Sequence, residues 1–416
     1  MKSSQNHLPS FFSSILFILG GLFLLGIALL MGITALISLF TGTEVNAQQT
    51  IFLIAFGFEA AILFVATFFT LQKYLNKESA DKQVFLAISG RWMIVLVLIA
   101  SLSILAGYLI ADLRMVNWLV LPVLTVPAIA LPLAVLLAMG THRLPLGARW
   151  QAWSVLGLGM TLGPILLFAL EIVLAILIFI GAAAYIMTQP ELVLEMQELS
   201  EQIMILGSEP EEAAQLLAPF LTQPAVIVVA LLYIAILVPA VEEIFKPIGV
   251  WLFAGKLSAA AEGFALGALS GAGYALIETI GVSGQQTGEW ASLLFSRIGT
   301  GLLHITTSGL MGAAIVLAWR ERRYVRFLGT YLLAVLLHGL WNAFAMLFTF
   351  STLAEFLDQP GQLMSVQPVT IAALAVLAVL LFAILILSNR RLRNTNPPQL
   401  LEPAIPREEP DPGQSA

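Results

Sequence analysis

Ten apolar runs, each about as long as the hydrocarbon core of a bilayer requires, recur along this 416-residue chain. They lie at roughly 11–40, 51–72, 92–111, 116–139, 153–187, 224–255, 258–283, 290–319, 328–350 and 367–388. In hydrocarbon every backbone N–H and C=O must be satisfied internally, so runs of this kind become helices. Composition closes off a soluble alternative: 59% of residues are apolar and only 11% charged, where a soluble domain carries about 25% charge. The expected fold is all-α, a polytopic transmembrane helix bundle of about ten spans. The first run is too long for the apolar core of a cleaved signal peptide and reads as a retained anchor. The fifth exceeds what a bilayer needs, and Gly163-Pro164 is where it should kink. A net charge of −6 with no large basic face argues against nucleic-acid binding. The absence of Cys excludes disulfides, thiolate zinc sites and a cysteine nucleophile.

Lysine and arginine set the orientation. Counted through the ten runs, 16 of the 19 basic residues fall on one side, from Lys2 through the Lys73–Arg91 and Arg320–Arg326 groups to Arg390–Arg407. Both termini are therefore expected to be cytoplasmic, in a multi-pass protein of the cell (plasma) membrane. Residues 188–223 contain seven Glu and no Lys or Arg, which suggests an amphipathic acidic cap on the outer side, broken at Pro210. The tail beyond Arg393, with six prolines and no apolar period, should be disordered. The expected organisation is a four-span membrane region (1–150), a fifth span with the acidic outer segment (151–223) and a catalytic four-helix core (224–350). A C-terminal span (351–393) and the cytoplasmic tail (394–416) complete it.

Charge inside a bilayer costs at least about 2.5–3.5 kcal/mol per group, so intramembrane polar residues survive only with partners. Here they concentrate in the sixth to ninth spans. Glu242, Glu243 and Lys246 form an EExxK string in which both carboxylates reach the ammonium along one helix edge. One Glu and one Lys would make a buried ion pair; the second Glu is a surplus acid in a low-dielectric site, where a general acid or base works. The seventh span carries Gly263, Gly267 and Gly271, a ridge for close helix approach, and then Tyr274 and Glu278 one turn apart. His304 and His338 lie near mid-membrane, His338 one turn before Asn342. A lone His there is usually an ordinary bundle residue; two beside three glutamates suggest a site. At 1.5 Å per residue, Glu242, His304, His338 and Asn342 converge in depth within about 6 Å, while Glu278 comes out deeper. Two His and a Glu could ligate Zn²⁺ in an open geometry. The candidates are His304, His338 and Glu278, and a metal-free glutamate mechanism is equally compatible with the residues.

In order, each on its own span, the EExxK string, the Gly-rich helix ending in Tyr274 and Glu278, the mid-helix His304 and the His338-Gly339-Leu340-Trp341-Asn342 string resemble the PrsW-type intramembrane proteases. Those proteases are distant relatives of the CAAX prenyl endopeptidase and bacteriocin-processing family. The resemblance covers about residues 224–350. It implies that Glu242 is the general base for the hydrolytic water and that His338 and Asn342 stabilise the oxyanion. It also implies a membrane-embedded protein substrate, of which a membrane-anchored regulator such as an anti-sigma factor is an example. Glu278 stands where the CAAX-type relatives have His, and His304 could supply the missing imidazole. A proton-coupled secondary transporter would use a buried Glu/His cluster too. It predicts an inverted repeat, yet Glu59 and Glu171 are the only acids well inside the first five spans, with no His nearby. A non-catalytic scaffold leaves the surplus carboxylate without a role.

Overall fold

The computed structural model describes residues 8–206, 215–217, 220, 223–284, 290–356 and 366–395. Ten of its helical stretches are long and apolar enough to cross a membrane, and no strand forms among the described residues beyond one bridge between Gln83 and Ala148. Helices α1 (Leu8–Thr41), α2 (Ala47–Tyr74), α3 (Gly90–Ile110) and α4 (Arg114–Gly140) are single spans. The fifth span is divided into α5 (Arg149–Met160) and α6 (Leu162–Met187), and α7 (Pro190–Leu206) follows it. The sixth comprises α8 (Pro224–Leu232), a π-turn (Tyr233–Leu237), α9 (Val238–Phe245) and α10 (Ile248–Phe253). Helices α11 (Ala260–Ser283), α12 (Trp290–Glu321), α13 (Tyr324–Phe356) and α14 (Gln367–Thr395) complete the bundle.

The expected kink in the fifth run falls at Thr161, whose φ of −126° and ψ of −78° lie outside the helical region. Pro164 offers no N–H to the carbonyl four residues back and crowds it, so the helix ends before it and restarts with the proline in its first turn. Helix α7 carries Glu191, Glu195, Glu198 and Glu201 of the acidic segment. Pro210 and the tail beyond 395 lie outside the described residues.

Burial separates the centre of the bundle from its flanks. The most apolar windows of α11 and α12 are 72% and 89% buried, against 6% for α5–α6 and 11% for α8–α10. What brings α11 and α12 together is the glycine ridge. A Cβ on Gly263 would run into the Gly312 carbonyl, one on Gly267 into that of Ser308 and one on Gly271 into that of His304. Those three pairs fix an antiparallel register in which every four residues forward on α11 meet four back on α12. Continued, the register sets Glu278 opposite Arg297. Helix α5 closes the other face of α11, with Gly159 against the Ser270 backbone and Gly273 against that of Leu156. A packing motif thus decides which polar side chains can meet.

Candidate active site

Two prolines shape the sixth span. A π-turn asks the Ile234 carbonyl to accept from residue 239, which is Pro239 and has no N–H. The Asn342 amide of α13 fills that vacancy, its Nδ2 donating to the Ile234 carbonyl at 3.0 Å. Gly339 lets α13 come against the neighbouring Ala235 carbonyl, and the Tyr331 hydroxyl donates to the Ala240 carbonyl at 2.7 Å. Helix α13 is anchored at three points, two on the turn and one on α9, and His338 is thereby aimed at Glu242 and Glu243. After Lys246, Pro247 ends α9, and the Ser270 hydroxyl of α11 donates to the Lys246 carbonyl at 2.6 Å.

The side chains converge on Lys246, which is fully buried. Its Nζ lies 2.6 Å from Glu242 Oε2 and 3.1 Å from Glu243 Oε1, 2.7 Å from His304 Nδ1 and 3.2 Å from His338 Nδ1. It also stands 5.1 Å over the Tyr274 ring, a cation–π contact. Hydrogen-bond logic assigns the imidazoles. Glu278 Oε2 is 2.7 Å from His304 Nε2 and 2.6 Å from Arg297 Nη2. A carboxylate only accepts, so His304 donates through Nε2 and turns the Nδ1 lone pair to Lys246. Glu243 Oε1 is 2.8 Å from His338 Nδ1, the shorter of that nitrogen's two contacts. His338 therefore donates through Nδ1 and presents the Nε2 lone pair, 3.8 Å from Glu242 Oε2. Apart from its ion pair with Lys246, Glu242 Oε2 has no hydrogen-bond partner among the described residues.

Six of the seven residues singled out from the sequence meet in this network: Glu242, Glu243, Lys246, Glu278, His304 and His338. The seventh, Asn342, is one turn past His338 with one amide N–H on the Ile234 carbonyl. Glu278 corrects the depth count, because it reaches His304 directly. Counting from span ends assumed that all helices begin at one level, whereas the glycine register sets the relative height of α11 and α12. The metal-ligand trio also changes. Donor atoms of Glu242, His304 and His338 lie within 4.8 Å of one another, while the Glu278 oxygen is spent on His304 and Arg297. The donor chemistry suits a divalent ion such as Zn²⁺. Each imidazole moreover has a carboxylate behind it, as metal-ligating histidines do.

Glu171 of α6 was not expected here. Its carboxyl neighbours that of Glu242, and the Tyr233 hydroxyl donates to its backbone carbonyl at 3.0 Å. Its only sequence signal was an acid alone in an apolar run. The cluster is graded in exposure: Lys246 and Glu243 are sealed, Arg297 is 15% exposed and Glu278 34%. Its partly exposed members are Glu278, Arg297 and Glu171.

Fold and site define a multi-pass integral membrane protein with a buried glutamate–histidine–lysine centre. A family model described as PrsW family intramembrane metalloprotease matches residues 149–385, more than half of the chain, so the protein belongs to that family. No curated protein and no solved structure matches the chain. The matched stretch is wider than the 224–350 core legible in the motifs, because it takes in α5 and α6, which wall α11 and deliver Glu171, and most of α14.

Proposed function

We propose that this protein is an intramembrane endopeptidase whose centre is Glu242, His304 and His338, and that it hydrolyses a membrane-anchored protein, such as an anti-sigma factor. The observation that carries the reading is the paired arrangement of two imidazoles, each oriented by its own carboxylate, with ring nitrogens and the Glu242 carboxylate within 4.8 Å of one another. Glu242 Oε2 and His338 Nε2 are spaced to hold one water between them as acceptors. Glu242 takes a proton as the water oxygen attacks the scissile carbonyl carbon, then returns it to the leaving amine nitrogen. The developing oxyanion is met by the Lys246 ammonium and the second N–H of Asn342, donors worth a few kcal/mol each in a dry site. In this tautomer His338 serves the water rather than the oxyanion. Glu243 and Glu278 position the imidazoles. Glu242, His304 and His338 are the residues that would hold the metal in the family's description; such an ion, when bound, acidifies water and polarises the carbonyl. The basic-residue distribution supports cytoplasmic termini, and the plasma membrane is the proposed location.

The test is cleavage of a panel of single-span membrane proteins by purified protein in liposomes, with and without a chelator. Turnover lost in both Glu242→Gln and His338→Ala is the expected result. Cleavage that survives both substitutions overturns the assigned centre, and the chelator lane shows whether an ion takes part.

A further inference from the structure

Two of the three donor atoms that would ligate a metal, those of Glu242 and His304, are already turned on a cation of the chain's own. Lys246 Nζ lies 2.6 Å from Glu242 Oε2 and 2.7 Å from His304 Nδ1, and His338 Nδ1 and Glu243 Oε1 complete its surroundings at 3.2 and 3.1 Å. Zinc sits about 2.0–2.2 Å from nitrogen and oxygen ligands. An ion held by Glu242 and His304 would therefore crowd against the ammonium nitrogen, one cation upon another. The backbone cannot relieve this, since the Lys246 carbonyl is held by Ser270 and the next residue is Pro247. Only the four-methylene stem is free to move.

We infer that Lys246 is a tethered occupant of the metal seat: ammonium and divalent ion are alternatives, and the ion enters only as the lysine side chain withdraws. The inference rests on reading Glu242, His304 and His338 as the donor set. It gives the second residue class of the EExxK string a purpose. In the metal-free protein the carboxylates keep a counter-charge, so that state remains folded and ready to load.

The experiment titrates Co²⁺ into chelator-treated, detergent-purified wild type, Lys246→Met, Glu243→Gln and Lys246→Met/Glu243→Gln. Readouts are the visible absorption of four-coordinate Co²⁺ and metal per chain by elemental analysis. The double variant removes one charge of each sign and guards against misfolding of the single one. Lys246→Met should bind one Co²⁺ with affinity about tenfold or more above wild type, as removal of an adjacent like charge implies. The double variant should exceed Glu243→Gln alone by a similar factor, since both lack the carboxylate behind His338, and adding His304→Ala should abolish the bands. A measurement on wild type alone accompanies this. Saturation with Zn²⁺ should make the buried Lys246 amine reactive towards an acylating reagent, scored by mass spectrometry. Equal or weaker affinity in a Lys246→Met protein than in its lysine-bearing parent, no binding in any protein, or an unreactive Lys246 in the metal-loaded protein would each overturn the inference. None of these readouts is proteolysis, so failure to cleave any substrate and failure of this exchange are separable results.

Discussion

Two carboxylates in this bundle are equally buried and differently surrounded. Glu59 of α2 and Glu243 of α9 both have no exposed surface. Neither oxygen of Glu59 has a hydrogen-bond partner among the described residues, and no histidine, lysine or arginine forms an ion pair with it there. Glu243 has Lys246 at 3.1 Å and His338 at 2.8 Å, with Glu242 beside it in the chain. The first lies outside the stretch matched by the family model and the second inside it. Burial alone, then, does not mark a reactive acid. What distinguishes the second region is that each polar group has another group to orient or be oriented by, and that Glu242 Oε2 meets only the Lys246 ammonium, at 2.6 Å.

Substitution should widen that contrast. Glu242→Gln is expected to lower turnover by about 10²–10⁴-fold, the range for a positioned general base, whereas Glu59→Gln should leave turnover unchanged. Initial rates on a cleavable single-span substrate in liposomes decide it, and comparable losses in the two variants would break the comparison. Glu278→Gln should cost about 10–100-fold, as for a residue that orients a ligand rather than reacting, with an unfolding midpoint near that of the wild type. A loss as large as that of Glu242→Gln would move Glu278 into the reacting set.

Two glycines of α11 give a sharper packing version of the same contrast. Gly267→Ala should destabilise by about 1–3 kcal/mol, because its methyl would collide with the Ser308 backbone. Gly281→Ala, where nothing lies within 4 Å of the new methyl, should stabilise by up to about 1 kcal/mol through helix propensity. Thermal unfolding in detergent measures both. The smallest effect belongs to His142 in the loop after α4. Desolvation, then the charges of Arg143 and Arg393, hold its imidazole below the ordinary value of 6.5. The unfolded chain thus takes up the proton first, so this loop's contribution to stability is intact above about pH 6.5 and declines as pH falls below it. The slope of unfolding midpoint against pH in that range should flatten slightly in His142→Gln.

The ten spans were legible because apolar length is a one-dimensional property, and so was the break of the fifth span, since proline chemistry is local. The membership of the cluster was largely legible too, as EExxK, the two histidines and Glu278 are conspicuous where charge is costly. Roles were not. Which carboxylate faces the shared seat and which stands behind an imidazole depends on helix rotation, and this exchanged Glu242 for Glu278 in the candidate metal set. Relative height depends on the α11–α12 register, which span ends do not reveal, although the glycines that set it are in plain view. Glu171 shares no spacing with the other acids, and only the turn of α6 after Thr161 brings it to Glu242. Asn342 was read for chemistry alone, while the π-turn that spends one of its N–H groups is invisible to a residue pattern.

The seam between α11 and α12 has a bioenergetic consequence. From Ala261 to Leu276, α11 is buried without interruption, and it is clamped backbone to backbone against α12 through Gly263 and Gly267. The ionisable groups that keep some exposure, Glu278, Arg297 and Glu171, lie to the side of that clamp. An enzyme that must admit water to the middle of an insulating film risks short-circuiting the electrochemical gradient the film maintains. A backbone-tight seam between α11 and α12 lets hydrolysis proceed beside it while closing that route to protons.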